Sequence, residues 1–255
     1  MFKLIKYVVY DILRNRILLG YTLLLLTVSL SLFNLEDDAA KATLSLTNLI
    51  LIIIPLVSII FSTIHFYNSY EFIELLVAQP LNRRTILLSQ YFGVSISLLA
   101  AFFVGIGIPV LLYNAGATGF VLLLSGMLLT QIFVSIAFWA SVITRDKAKG
   151  IGLSLMIWFY FSLIYDGLIL FFLFSFNDFP LEKPILALTC LNPVDLGRIL
   201  ILLKMDISAL MGFTGALYKD FFGSGFGLIF SIVVMSIWII VPMFFAVRIF
   251  NKKNL

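Results

Sequence analysis

Residues 117–142 read ATGFVLLLSGMLLTQIFVSIAFWASV and contain no charged side chain. The stretch is longer than the roughly 20 apolar residues that a helix needs to cross the hydrocarbon core of a bilayer. Further apolar stretches of about spanning length lie at residues 17–35, 44–66, 86–113, 150–176 and 226–247. Because lipid offers the backbone no hydrogen-bond partner, such segments are predicted to be helices. The sequence therefore predicts an all-α membrane protein with six transmembrane helices in one domain, residues 1–255.

The overall composition agrees with a membrane protein. Hydrophobic residues make up 62% of the chain and charged residues 12%, whereas soluble domains average roughly 45–50% and about 25%. The net charge of +4 does not indicate a nucleic-acid partner, because the basic residues flank the apolar stretches.

The basic residues also predict the orientation of the chain. If the N-terminus is inside, 12 of the 17 Lys and Arg residues face the inner side and 5 the outer side. The inner set is Lys3, Lys6, Arg14, Arg16, Arg83, Arg84, Arg145, Lys147, Lys149, Arg248, Lys252 and Lys253. The outer set is Lys41, Lys183, Arg198, Lys204 and Lys219. Short cytoplasmic loops carry the excess of Lys and Arg, so we predict cytoplasmic termini in a multi-pass protein of the bacterial inner membrane.

The N-terminal residues 2–15 alternate basic and apolar side chains. This pattern predicts an amphipathic helix on the inner leaflet. The alternative is a plain start of the first span with snorkelling charges.

The inner segment between spans two and three, residues 68–79, is compatible with a short helix that Pro80 ends. Glu71 and Glu74 are three residues apart and share a face. The apolar face is predicted to consist of Phe72, Leu75 and Leu76, and Asn82 is a suitable N-cap for span three. Such a helix suits the docking of a soluble partner; the alternative is an interfacial linker with solvated charges.

The outer segment, residues 177–225, contains the helix start Asn192-Pro193-Val194-Asp195. A second, weaker helical pattern covers residues 209–217. Two amphipathic helices outside the membrane are predicted, which either cap the protein's own bundle or bind an external partner.

Span three carries small residues at four-residue spacing, which let a neighbouring helix approach closely. They are Ser89, Gly93, Ser97, Ala101 and Gly105. Packing within the subunit and a subunit interface are the two interpretations. Pro109 is expected to kink or end this span.

Residues able to support catalysis are scarce. His65 is the only histidine and is interpreted as a polar residue at a helix end, while Cys190 is the only cysteine and is interpreted as a packing residue. The sequence lacks the phosphate-binding pattern GxxxxGK[ST]. We therefore predict a protein that is not an enzyme, with no catalytic residue, cofactor or metal site of its own.

Asp166 is the one ionisable residue inside a predicted span. Intramembrane ionisable residues are energetically costly and usually face a cavity or a partner. A role in gating or substrate passage and a hydrogen-bonding role within the bundle are both open.

The layout of six helices with an inner helix before residues 79–84, QPLNRR, resembles that of ABC-2 type permeases. The resemblance implies that residues 68–79 form the coupling helix, which sits in a groove of a separate ABC ATPase subunit. It also implies a homodimer of six-helix protomers. The residues that match the coupling pattern are Glu71, Glu74, Arg83 and Arg84.

The outer sequence around residues 191–195 is similar to that of the NosY permeases. Those proteins work with an ATPase, NosF, and a periplasmic β-helical protein, NosD, in assembling the copper centres of nitrous oxide reductase. The resemblance implies an outer docking platform shaped by Asn192, Pro193, Asp195 and Arg198. Mechanical work on the outer partner fits the residues better than copper passage, and export of a small solute such as a sulfur species stays open.

Three other functions are weaker interpretations. A secondary transporter or channel needs polar residues in several spans, and Asp166 is the only charged one. An intramembrane enzyme lacks the histidines. An ATPase-independent assembly factor differs from the preferred interpretation only through the coupling-helix resemblance.

Overall fold

The computed structural model describes residues 1–36, 38–114, 116–144, 146–176, 182–205 and 225–252. These residues are helical almost throughout and include no β-strand. The helices are α1 (Phe2–Leu13), α2 (Arg16–Leu35), α3 (Ala39–Asn68), α4 (Tyr70–Val77), α5 (Arg83–Tyr113), α6 (Ala117–Ile143), α7 (Lys147–Ser175), α8 (Glu182–Cys190), α9 (Pro193–Lys204) and α10 (Gly225–Lys252).

Six of these helices are long and apolar enough to cross a membrane: α2, α3, α5, α6, α7 and α10. They coincide with the six predicted spans, and the prediction of an all-α membrane protein is confirmed. Residues 177–181 and 206–224 of the predicted outer segment, including its second helical pattern at 209–217, lie outside the described residues.

Helix α6 forms the centre of the bundle. Within its most apolar stretch of 18 residues, 72% of the residues of α6 are buried. The corresponding fraction is 22% in α10 and 11% in α7. Its neighbours include α3, α10, α5 and α9. The protomer therefore has a closed core around α6 and a peripheral helix, α7, with most of its apolar surface uncovered.

The N-terminal segment is a separate helix rather than the start of the first span. Asn15 ends the connection from α1, and its side-chain oxygen accepts a hydrogen bond of 2.8 Å from the backbone N–H of Ile17 at the start of α2. Val8 and Ile12 of α1 are buried, and Val8 packs against Gly93 of α5. The amphipathic α1 thus lies along span three.

The small residues of α5 allow close packing within the protomer. A Cβ atom added at Gly93 would lie 2.4 Å from Val8 Cγ1, and one added at Gly105 would lie 2.5 Å from Leu25 Cβ in α2. These contacts favour the intramolecular interpretation of the small-residue pattern.

Helix α5 has an irregular π-helical turn at Phe103–Gly107, just before Pro109. Pro109 has no N–H to offer the carbonyl of Gly105 four residues earlier. The Ser29 hydroxyl of α2 donates to this carbonyl instead, at 2.7 Å. The expected distortion near Pro109 is therefore present, and a neighbouring helix compensates for it.

Candidate functional site: the α4 surface and the α8–α9 pair

Hydrogen-bond contacts connect the start of the short helix α4 with spans two and three. Ser69 ends α3 and precedes α4, and its backbone N–H donates to the His65 carbonyl at 2.9 Å. The His65 Nε2 atom lies 3.3 Å from Gln90 Oε1 of α5 and 3.4 Å from Ser69 Oγ. The side chain of His65 thus connects α3, the start of α4 and α5.

The exposed face of α4 carries two carboxylates and one large apolar side chain. Ile73 and Leu76 are buried against the bundle. The residues on the opposite side are exposed, with Leu75 at 66%, and have the i, i+3, i+4, i+7 spacing of one helix face. We call this face the α4 surface: Glu71, Glu74, Leu75 and Ala78.

The composition of the two faces differs from the sequence prediction in one respect. The sequence predicts Leu75 on the apolar face with Phe72 and Leu76, but Leu75 is exposed beside Glu71 and Glu74. Phe72 is half-buried, and its ring centroid lies 5.5 Å from that of Tyr7 in α1. Helix α4 packs against the core through Ile73 and Leu76, so Ile73 is buried where the sequence predicts Leu75.

The two predicted arginines occupy the first turn of α5. Arg84 is exposed and Arg83 is half-buried. Asn82 is the N-cap residue as predicted, but its side chain accepts no capping hydrogen bond. Arg83 and Arg84 therefore lie shortly after α4 in the chain and at the same end of the bundle.

Polar contacts connect other spans at this end. Tyr67 Oη of α3 lies 2.5 Å from Thr144 Oγ1 at the end of α6. Lys147, at the start of α7, donates from Nζ to Oδ1 of Asn68, the last residue of α3, at 2.8 Å. The end of α3 is therefore hydrogen-bonded to α6 and α7 and is joined to α4 through Ser69.

Helices α8 and α9 form a pair bent by 109°, which resembles a broken span or a re-entrant loop. Their turn packs against residues near the middle of four spans. The Asn192 side chain donates to the Phe161 carbonyl of α7 at 3.0 Å, and Trp238 Nε1 of α10 donates to the Cys190 carbonyl at 3.1 Å. A Cβ atom at Gly197 would lie 3.1 Å from a Leu129 methyl of α6 and 3.6 Å from a Leu51 methyl of α3.

This depth modifies the picture drawn from the sequence. The sequence predicted amphipathic helices outside the membrane, whereas the described part of the segment, α8 and α9, reaches the interior of the bundle. Periodicity predicts an apolar stripe on a helix but not the depth at which the helix packs.

The local sequence explains why the turn is well defined. Asn192 is the N-cap of α9 as predicted, and its Oδ1 accepts from the Val194 N–H at 3.0 Å, with Pro193 in the first turn. Its amide donates to Phe161 within the π-helical turn Tyr160–Ile164 of α7. Asn192 thus forms hydrogen bonds with the backbone of α7 and of α9. Its polar side chain therefore keeps its partners although the residue is fully buried.

Three charged residues connect α7 with α9. Arg198 Nη1 lies 2.8 Å from Asp166 Oδ2 and 3.4 Å from Asp195 Oδ1. The side chains of Arg198 and Asp166 are 37% and 34% exposed, whereas that of Asp195 is 9% exposed. The structure therefore joins Asp166, considered separately in the sequence, with two residues of the predicted platform.

The predicted platform residues point mainly inward. Asn192, Pro193 and Asp195 are buried, and only Arg198 is partly exposed. Their geometry suits shaping the α8–α9 pair rather than direct contact with a partner. Tyr165, which donates to the Leu188 carbonyl at 2.6 Å, and Trp238 share this anchoring role. Neither was identified from the sequence, because their partners lie 23 and 48 residues away.

The arrangement is suited to transmitting movement. Among the described residues, no group of three or more His, Cys, Asp and Glu is placed to hold a metal ion. The features present are an exposed acidic helix at one end and a bent helix pair anchored by polar contacts at the middle of the bundle. Such a molecule belongs to the class of polytopic α-helical membrane proteins.

Comparison with known proteins identifies the family. The profile of the ABC-2 family transporter proteins matches residues 9–255. The chain is 30% identical to the probable ABC transporter permease protein NosY of Pseudomonas aeruginosa, over 79% of this chain and 81% of that protein. It is 26% identical to the protein of the same name from Stutzerimonas stutzeri, over 95% of each chain. The chain belongs to the ABC-2 family and is a NosY-like permease component of an ABC transporter.

Proposed function

We propose that this permease couples ATP hydrolysis by a separate ABC ATPase subunit to movement of the α8–α9 pair. ATP closes the ATPase dimer, α4 is displaced, and the spans rock so that the outer segment changes shape. Both termini and the α4 surface face the cytoplasm in this proposal, in the bacterial inner membrane, and the chain itself catalyses no reaction.

The observation that carries the proposal is the α4 surface. Glu71, Glu74 and Leu75 are exposed together on a helix whose other face is buried. Two carboxylates beside an exposed apolar side chain suit a groove that offers both basic and apolar contacts, where charge steers association and the apolar contact is desolvated. Arg83 and Arg84 extend this docking region.

The path from α4 to the outer half of the protein follows described contacts. His65 and Tyr67 connect the end of α3 with α5 and α6, and Lys147 connects it with α7. At its middle, α7 binds the turn of the α8–α9 pair through Phe161, and further out through Asp166. Rocking of α7 therefore pulls directly on α9.

The NosY resemblance supports a more specific version of the function. In that version two copies of this permease bind two NosF-like ATPases, and the outer segment docks a NosD-like periplasmic β-helical protein. ATP-driven movement then assists assembly of the copper centres of nitrous oxide reductase. Asn192, Pro193, Asp195 and Arg198 shape the platform from within.

The test is copurification of the ATPase with the tagged permease from native membranes in mild detergent. Glu71→Lys with Glu74→Lys reverses the charge of the α4 surface. We expect this variant to lose most of the bound ATPase, with at least a roughly tenfold fall in recovery, because two charge reversals at a docking rim cost several kcal/mol. The control is Glu36→Lys, which reverses a charge at the C-terminal end of α2, away from the α4 surface. This variant is expected to retain the ATPase. Undiminished ATPase recovery with the double variant contradicts the coupling assignment.

A further inference from the structure

A cleft with a basic rim and an apolar wall lies between the start of α5 and the end of α10. Its volume is about 390 Å³. The lining residues are Arg84, Phe244, Val247, Arg248, Asn251 and Lys252. A second cleft of about 470 Å³ adjoins it, because Arg84 and Asn251 line both. None of the described residues lining either cleft is acidic.

Three cations from two helices converge on the first cleft. Arg84, Arg248 and Lys252 are exposed, and none forms an ion pair with a carboxylate of the described residues. Like charges brought together without a counter-ion repel each other. Convergence of this kind therefore favours an anionic occupant over a purely topological role.

The apolar wall shows what else the occupant must carry. Phe244, Arg248 and Lys252 are spaced four residues apart on one face of α10, and Phe244 is 60% exposed. At 1.5 Å rise per residue, Phe244 lies about 6 Å from Arg248 and about 12 Å from Lys252 along the axis of α10, toward the middle of the helix. A ligand that follows this face has a negative head at the end of the bundle and an apolar tail within it.

The peptide dipoles add to the attraction. Arg84 is in the first turn of α5, where the helix dipole is positive. The N-cap residue Asn82 makes no side-chain hydrogen bond to this turn and lines the second cleft. Phosphate oxygens suit both the guanidinium groups and a helix N-terminus.

We propose that this cleft binds the phosphate headgroup of an anionic phospholipid, with an acyl chain along Phe244 and Val247. Basic pockets between transmembrane helices on the cytoplasmic side are suited to such headgroups. Inorganic phosphate shares the headgroup chemistry but makes no use of the apolar wall. The site shares Arg84 with the docking region and rests on the cytoplasmic orientation of the proposed function, so its test varies Arg248 and Lys252 only.

The test is lipid binding to the delipidated full-length permease in neutral detergent, followed by native mass spectrometry. Phosphatidylglycerol and phosphatidylcholine are added separately, and inorganic phosphate is added as a competitor. The variant Arg248→Gln with Lys252→Gln leaves Arg84 of the proposed coupling region unchanged. Its control is Lys3→Gln with Lys6→Gln, which removes two exposed cations from α1.

The wild type and the control are expected to bind phosphatidylglycerol in preference to phosphatidylcholine. The cleft variant is expected to bind phosphatidylglycerol on the order of tenfold more weakly, because each basic residue near an anionic lipid contributes to its binding. If that variant does not stay monodisperse, Lys252→Gln alone is compared with Lys3→Gln.

Three results overturn the proposal. The first is equal binding of the two lipids to the wild type, and the second is unchanged binding of phosphatidylglycerol to the cleft variant. The third is complete displacement of phosphatidylglycerol by millimolar inorganic phosphate, which assigns the cleft to a free anion.

Discussion

At the scale of single residues, Arg198 lies between carboxylates of α7 and α9. It is the one cation between two carboxylates, at 2.8 Å from Asp166 and 3.4 Å from Asp195. Removing Asp166 leaves an arginine beside one carboxylate. Removing Arg198 leaves two carboxylates without a cation between them, which is energetically costly where water is limited.

The Arg198→Gln variant should therefore destabilise the protein more than Asp166→Asn does. We expect a loss on the order of 2 kcal/mol for Arg198→Gln, below the roughly 3–5 kcal/mol of a fully buried pair because the side chain is partly exposed. Thermal unfolding in detergent measures both variants. Equal melting temperatures, or a larger loss for Asp166→Asn, contradict the assignment of Arg198 as the shared partner.

At the scale of helices, the α2–α5 contact depends on a residue without a side chain. Gly105 of α5 lies so close to α2 that an added Cβ would be 2.5 Å from Leu25 Cβ and 3.2 Å from the Thr22 carbonyl oxygen. The same glycine supplies the carbonyl that Ser29 binds. The contact is therefore both sterically tight and polar.

Gly105→Ala is expected to cost about 1–3 kcal/mol of stability, because overpacking forces the two helices apart. Gly20 of α2 has no atom within 4 Å of an added Cβ, so Gly20→Ala is the matched control. The control should be neutral or slightly stabilising, since alanine favours helix. Melting temperatures of the two variants decide the point, and equal values contradict tight packing at Gly105.

How much of the helical architecture the sequence predicts depends on the range of the interactions involved. The six spans, the α4 helix and the N-cap at Asn192 follow from composition and local spacing. The depth of the α8–α9 pair does not, because it rests on contacts with Phe161 and Trp238 far along the chain. The pairing of Asp166 with Arg198 across 32 residues was equally out of reach.

At the scale of the whole molecule, we expect the uncovered face of α7 to form the interface of the proposed homodimer. Phe171 and Phe174 of α7 are 71% and 82% exposed. In a Cys190→Ser background, we expect Phe171→Cys or Phe174→Cys to form disulfide-linked dimers on mild oxidation. A disulfide requires the two Cα atoms to approach within about 7 Å. Ile229→Cys, on the exposed side of α10, serves as the control. A dimeric protein without any α7 cross-link places the interface elsewhere.

The turn between α8 and α9 also constrains how the protein is made. Backbone groups at this depth cannot be left without partners in lipid, and the Cys190 carbonyl is bonded by Trp238, which follows 48 residues later in the chain. During synthesis the α8–α9 pair therefore completes its hydrogen bonds only after the last span has been inserted. A chain cut short before α10 therefore leaves the Cys190 carbonyl without this donor.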